Sequence, residues 1–222
     1  MKNYVRITSG EFRGRKIETP GDGTHPMGER ERLALFNMIA ERLPGAMVLD
    51  AFSGSGALGI EALSRGARGA VFVDASRKAV GCIRSNLSLL GLRISDDFKK
   101  HSLDVRGKSL ADDERSSHVI SEGGRDEGRG PSGDHPLRTM EVVCAKIQDF
   151  NPEQRFDIIL ADPPYDNYHL PEIEHLVSLL KSGGILVLSH PREAPALTEL
   201  DLIKSRKYAG AMISVFNKHL PS

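Results

Sequence analysis

Residues 48–63, VLDAFSGSGALGIEAL, decide the fold. The run up to Ala51 is short, apolar and uncharged until Asp50, as a buried strand is. It breaks at Gly54-Ser55-Gly56 and resumes as ALGIEALSRG, a helix-forming run that closes at Gly66. Glycines here let the main chain turn sharply and leave room for a ligand against the backbone. Gly54, Gly56 and Gly59 fit G-x-G-x-x-G, and Asp74 ends the next strand at the expected distance. Together these mark a ligand-binding, doubly wound α/β fold, in which ligands sit beyond the carboxyl ends of the strands.

The pattern continues on both sides. Downstream, GAVFVDAS (69–76) is a strand, and Ser76 caps a helix bearing Val80, Ile83, Leu87 and Leu90 that stops near Gly91. EVVCAKI, RFDIILADP and GILVLSH are further strands, with a helix over LPEIEHLVSLLKSGG (170–184) between the last two. LDLIKSRK and AMISVFNK form two closing strands. Apolar strands alternating with helices make a parallel sheet covered on both faces. Upstream, residues 4–18 read as a β-hairpin in which Val5 and Ile7 alternate with polar neighbours and Gly10 and Gly14 punctuate the run. A helix is expected over 29–43, carrying Leu33, Phe36, Ile39 and Leu43 at helical spacing and Glu29 and Glu31 in its first turn. The expected division is a hairpin and entrance loop at 1–28 and a main domain at 29–222. Within the latter, residues 95–140 are rich in Ser, Gly and charge and read as a flexible surface insertion.

Composition narrows the class. At 222 residues, 39% hydrophobic and 27% charged, the chain is an ordinary globular protein. No apolar run approaches the roughly 20 residues that span a bilayer, and MKNYVRITSG has neither a signal-peptide core nor a transit-peptide pattern. A cytoplasmic location with reduced thiols is therefore expected. Cys82 and Cys144 form no CxxC pair and the eight His show no ligand spacing, so no metal site is expected. Thirty basic and 30 acidic residues cancel, which excludes a uniformly basic nucleic-acid binder. The charge is local: residues 1–16 carry Lys2, Arg6, Arg13, Arg15 and Lys16 against Glu11 alone.

Two features carry chemistry. Asp50, just before the glycine loop, repels a pyrophosphate but suits the cationic amino and sulfonium groups of S-adenosylmethionine. That favours a methyl donor over a nicotinamide dinucleotide, whereas Asp74 would accept ribose hydroxyls from either. In ILADPPYDNY (159–168), Asp162-Pro163-Pro164-Tyr165 follows directly on a strand, at the same sheet edge as the glycine loop. Two prolines remove two backbone donors, leaving carbonyl oxygens and the Asp162 carboxylate as acceptors, while Tyr165 offers a ring on which a base can stack. An exocyclic amine is a poor nucleophile, and acceptors placed on its N–H groups favour charge build-up on nitrogen during attack. No nucleophilic Cys stands in this loop, and none is needed.

These motifs look like the amino-methyltransferase class whose signature is Asp, Asn or Ser, then Pro-Pro, then an aromatic residue. VRITSGEFRGRKIETP (5–20), HPMGERERLALFNMI (25–39), LDAFSGSGALGIEALSRGA (49–67) and DPPY, in that order, resemble the RsmD family of bacterial small-subunit ribosomal RNA guanine-N2 methyltransferases. The resemblance implies a Rossmann-like, seven-stranded S-adenosylmethionine-dependent fold with an N-terminal hairpin that helps hold RNA. It implies that Asp50, Phe52, Ser53, Gly54, Ser55, Gly56 and Asp74 line the methyl-donor site, and that Asp162, Pro163, Pro164 and Tyr165 receive a flipped guanine. Arg13, Arg15 and Lys16, with Arg30 and Arg32, would contact RNA, although a charged edge strand that discourages aggregation gives the same hairpin sequence. A monomer acting on ribosomal RNA or the small subunit, without membrane or metal, is the expectation. The chain departs from the family in lacking two threonines before the first helix, where it reads His25-Pro26-Met27-Gly28. It also has Ala145-Lys146-Ile147 where relatives place Ser-Asp-Ala, whose Asp contacts adenine. An adenine-N6 or protein amine target, a nicotinamide oxidoreductase and a non-catalytic ribosome-assembly factor remain the alternatives.

Overall fold

The computed structural model describes residues 3–21, 27–95, 138–164, 169–191, 193–208 and 211–220. A two-stranded antiparallel hairpin, β1 (Tyr4–Arg6) and β2 (Lys16–Glu18), precedes α1 (Glu29–Met38). Then follow β3 (Met47–Ala51), α2 (Ala57–Ser64), β4 (Gly69–Asp74), α3 (Arg77–Leu89), β5 (Thr139–Cys144), β6 (Phe156–Ala161), α4 (Leu170–Leu179), β7 (Leu180–His190), β8 (Leu200–Tyr208) and β9 (Ala211–Lys218). The last seven strands form one sheet in the order β5-β4-β3-β6-β7-β9-β8, the first five parallel and β9 antiparallel to both neighbours. The chain winds outward from β3 to β5 and then returns to place β6 on the other side of β3, so the order reverses between β3 and β6. That reversal is the switch point at which a doubly wound sheet opens a crevice.

The strands are apolar because both faces are covered: Val48, Leu49, Val71, Phe72, Ile159 and Leu160 are fully buried. One core cluster joins the sheet to the hairpin and α1–α3, and a second joins it to α4. The hairpin belongs to the first cluster through Val5, Ile7, Phe12 and Ile17. Ser76 accepts the Ala79 N–H at the start of α3, and Gly66 and Gly91 take left-handed φ (100° and 73°) just after α2 and α3, as the sequence predicts.

Three expectations need correction or fall outside the structure. The helix predicted over 29–43 ends at Met38, and a separate 3-10 turn covers Ala40–Arg42. Its buried stripe is Arg32, Leu35, Phe36 and Ile39, so Leu33 is 42% exposed and the stripe starts one residue earlier than the apolar periodicity suggests. The helix predicted over 170–184 stops at Leu179, because Leu180 already pairs with Phe156. A register irregularity between Phe156 and Ile158 and a left-handed Gly183 (φ 71°) absorb the extra residues. Of the predicted insertion 95–140, residues 96–137 lie outside the described residues.

Gly59, third of the loop glycines, serves packing: a Cβ there would lie 2.3 Å from Phe72 Cε1 on β4. Gly59→Ala is expected to cost about 1–3 kcal/mol by overpacking and to lower the thermal midpoint by roughly 2–10 °C. A midpoint equal to that of the parent chain in a thermal melt would contradict this close approach of α2 to the sheet.

Candidate active site

Pairing of Ala51 with Ala161 brings the residues that follow β3 and β6 to one edge, so the glycine loop and the Asp-Pro-Pro corner face the same crevice. Asp50 is 1% exposed, and its Oδ2 accepts the Gly59 N–H at 2.8 Å, tying the strand to α2. Burial pushes its pKa well above the ordinary carboxylate value; the Gly59 hydrogen bond opposes that, and nearby Asp74 and Asp162 reinforce it. Phe52 follows at φ 60°, a left-handed conformation that costs a non-glycine residue of order 1–2 kcal/mol. Such strain persists where the surrounding structure over-determines it. Ser53 fastens the loop by donating its hydroxyl to the Asp50 carbonyl (2.6 Å) and its N–H to the Val73 carbonyl (3.1 Å). Gly54, at φ 55°, donates its N–H to Asp74 Oδ2 (2.8 Å), and among the described residues nothing lies within 4 Å of where its Cβ would be. Gly56, at φ 78°, packs against Ile83 and Phe72 instead. Asp74 Oδ1 accepts the Ser76 N–H at 2.8 Å. Each Asp74 oxygen retains a lone pair for a ligand hydroxyl.

Opposite the loop, Asp162 accepts a hydrogen bond from Ser189 at the end of β7. Burial nevertheless raises its pKa to about 6, with a further push from Glu31 and an opposing pull from Ser189. Pro163 is buried and Pro164 exposed, and Tyr165 lies outside the described residues. Asp50, Phe52, Ser53, Gly54, Ser55 and Asp162 line one cleft, closed on the hairpin side by Thr19 and Pro20 and on the α1 side by Met27 and Arg32. A larger concavity, between the Pro44–Ala46 turn and Lys181–Gly184, lies at the opposite edge of the sheet.

Of the predicted cofactor and catalytic residues, Asp50, Phe52, Ser53, Gly54, Ser55 and Asp162 share this cleft, whereas the basic residues other than Arg32 are separated from it. Arg32 is a correction. It is 2% exposed and donates to the carbonyls of Met27 and Arg6, so it joins the entrance loop to the hairpin and is not a surface phosphate ligand. Desolvation lowers its pKa, and Glu61, Glu29 and Glu31 counter this. The Arg13-Gly14-Arg15 turn does not reach the cleft either. Glu11 and Phe12 bind Ser64, the last residue of α2, and Arg15 donates to the Leu89 carbonyl at the end of α3. The turn thus lies over the far end of α2, about 12 Å along that helix from the glycine loop. Arg13, Arg15 and Lys16 are exposed there, and Arg30 is exposed in the first turn of α1. Lys146 is exposed just beyond β5, whose last residue, Cys144, pairs with Asp74.

Three residues central to the site carry no motif signal. Glu61, fully buried on α2, accepts from the Thr8 and Ser9 N–H groups (2.8 and 3.0 Å), the Thr8 hydroxyl and Arg65 (2.9 Å), fixing the hairpin to the cofactor helix. Asn86 accepts the Glu18 N–H and donates to the carbonyls of Glu18 and Ser55, each at 2.9 Å, so β2 and the glycine loop share one clamp. Ser189 orients Asp162. A buried Glu in IEALSR, a polar break at Asn86 in an apolar stripe, and the polar end of GILVLSH were the available hints.

Fold and cleft together define a class, the Rossmann-like α/β methyltransferases. The family model described as "Conserved hypothetical protein 95" matches residues 5–120. The chain is 30% identical over 221 residues to the Bacillus subtilis protein named "Putative rRNA methyltransferase YlbH", covering 96% of this chain and 99% of that one. It is 44% identical over 87 residues to ribosomal RNA small subunit methyltransferase D of Escherichia coli, covering 39% and 44% of the two chains. Among solved structures, "Putative methyltransferase yhhF" of Escherichia coli superposes with a TM-score of 0.70 at 23% identity over 99% of this chain and 100% of that one. The Thermus thermophilus 16S rRNA N2 methyltransferase RsmC, solved with AdoMet and guanosine, gives 0.55 at 18% identity over 99% and 50%. The chain belongs to the RsmD family of methyltransferases.

The ionised cleft has a measurable cost. Asp162 has a folded-state pKa of about 6 against the usual 3.8, so the folded chain holds this proton more tightly than the unfolded one. Its charge therefore opposes folding above pH 6, and the penalty fades as the pH falls toward 4. Asp162→Asn is expected to stabilise the ligand-free protein at pH 7.5 by up to about 3 kcal/mol. By urea denaturation the gain should shrink to near zero at about pH 4; an equal gain at both values would contradict a desolvated charge.

Proposed function

We propose that this chain transfers a methyl group from S-adenosylmethionine to the exocyclic N2 amine of a guanine in small-subunit ribosomal RNA. One observation carries the reading: the β3–β6 register sets buried Asp50 within electrostatic reach of Asp74 and Asp162 around an open glycine loop. Three carboxylates in one cleft repel each other and any phosphate, and are relieved by a cationic ligand. The open space over Gly54 and the free lone pairs of Asp74 fit S-adenosylmethionine, a cation with a ribose. Asp50 and the loop would hold its amino-acid end and Asp74 its ribose hydroxyls. The RsmC neighbour, solved with AdoMet and guanosine, supports the same pairing of ligands on this fold, and the names of the relatives support ribosomal RNA as substrate.

When bound, S-adenosylmethionine supplies an electrophilic methyl on a sulfonium. The chain's own part is to position and polarise the amine. Asp162 Oδ and the carbonyls of the Pro163-Pro164 corner accept its two N–H bonds, so that the nitrogen lone pair is directed at the methyl carbon. Asp162, or water beside it, would take the proton that the amine gives up on methylation. A carboxylate with a pKa of about 6 is ionised at neutral pH yet basic enough to take part. Ser189 keeps the carboxylate aimed. The exposed cations of the hairpin turn are left for RNA contacts away from the flipped base.

Asp162→Ala should lower turnover with small ribosomal subunits by at least about 100-fold, while S-adenosylmethionine binding measured by calorimetry stays within a few-fold of the parent. The parent's kcat/KM should rise with pH through an apparent pKa near 6. Turnover retained in the variant would remove Asp162 from the mechanism.

A further inference from the structure

The hairpin turn does not face the crevice, but further cations stand at the catalytic edge of the sheet on β8. β8 is the edge strand, and charge is segregated along it. Asp201, near its start, pairs with His219, and Glu199, just before the strand, pairs with Lys218. Its second half carries Lys204, Arg206 and Lys207, all exposed, and among the described residues none of the three makes an ion pair. The register fixes where they lie. Arg206 pairs with Ile213 on β9, and Ile213 pairs with Ser189 on β7, the residue that binds Asp162. Arg206 is therefore level with the catalytic corner, three strand spacings or about 14 Å across the sheet.

A groove of about 420 Å³ opens between this half-strand and α1, lined by Lys204, Arg206, Lys207 and Tyr208 on one side and by Ala34, Asn37 and Met38 on the other. No acid lines it. Arg30 precedes Ala34 by four residues, so it lies on the same helix face one turn nearer the N-terminus of α1. Just before that terminus stands Met27, which lines the cleft. Edge strands do carry charge, lysine above all, to deter aggregation. Lys204 and Arg206, two residues apart, share one face of β8, and with Lys207 they gather at a single groove beside α1, which deterring aggregation does not require.

We propose that the α1–β8 groove is a second seat for the substrate, in which Lys204, Arg206 and Lys207 bind the phosphate backbone of the RNA strand flanking the flipped base, with Arg30 between groove and cleft. The proposal rests on the RNA substrate of the preceding section and adds a surface on the side of the cleft opposite the hairpin. The ligand it fits is a polyanion: spaced cations, an aromatic edge at Tyr208 and an amide at Asn37 suit backbone contacts without base readout.

The test is binding of protein-free small-subunit ribosomal RNA across a salt series, comparing the parent chain with the Lys204→Ala/Arg206→Ala/Lys207→Ala variant. Loss of three phosphate contacts should reduce the slope of log K against log salt by roughly 2–3 and weaken binding about 100-fold at 0.1 M salt. Methyl transfer should show the loss in KM rather than in kcat, with S-adenosylmethionine affinity and the thermal midpoint at parent values. If the triple variant unfolds, Lys204→Ala and Lys207→Ala singly should each lower the slope by about 1. An unchanged slope, or weaker binding with the parent slope, overturns the proposal alone. A parent chain that neither binds the RNA nor methylates small subunits takes the substrate reading down with it.

Discussion

The pairing of β3 with β6 is the constraint on which the rest of the structure depends. Val48 to Ala51 hydrogen-bond beside Ile158 to Ala161 in parallel register, although 110 residues separate the pairs in sequence. Because the pairing is parallel, both strands end at one edge, and because the chain winds away in opposite directions on the two sides, a crevice opens at the seam. Asp50 and Asp162 come to the seam as a consequence. Desolvation there works against both carboxylates, and like charges add to it, Asp74 and Asp162 at Asp50 and Glu31 at Asp162. Cores normally exclude such clusters. A chain that keeps one has a site whose electrostatics are completed by a cation.

The hairpin takes its place in this scheme as a brace. Glu61 holds Thr8 and Ser9 to α2, and Asn86 joins Glu18 to the carbonyl of Ser55 in the glycine loop. Arg32 adds a third tie, from α1 to the Arg6 carbonyl, and forms part of the cleft wall. Each of these is a buried polar group with several partners, a kind of contact that fixes geometry more than it adds net stability. The loop that carries strained Phe52 is thus held from three directions: by its own Ser53, by Asp74, and through the hairpin by Asn86.

Much of this was legible in the sequence because it rests on local rules. The glycine spacing, the Ser76 cap, the apolar strands and the Asp-Pro-Pro corner each declare themselves within ten residues, and together they gave the class, the sheet and the cleft residues. What was not legible depends on contacts distant in sequence. Arg32 looks like any surface arginine until the Arg6 and Met27 carbonyls are seen to enclose it. The far placement of the Arg13–Arg15 turn follows from Ser64 and Leu89 binding it, partners that lie 50 and more residues away. Helix α4 ended early because a tertiary pairing of Leu180 with Phe156 overrode helical propensity. The basic half of β8 was visible only as a short run within LDLIKSRK, and its position level with Asp162 needed the β7–β9–β8 register.

The role proposed for this seam is to hold a methyl donor against a purine amine. Its most direct measurement is methyl transfer from labelled S-adenosylmethionine to small ribosomal subunits from a strain lacking this protein, with digestion of the RNA to nucleosides. The account predicts label in N2-methylguanosine. Label in another nucleoside would contradict the assignment of the amine, and no label in any nucleoside, from protein shown to be folded and to bind the subunits, would contradict the catalytic role of the cleft itself.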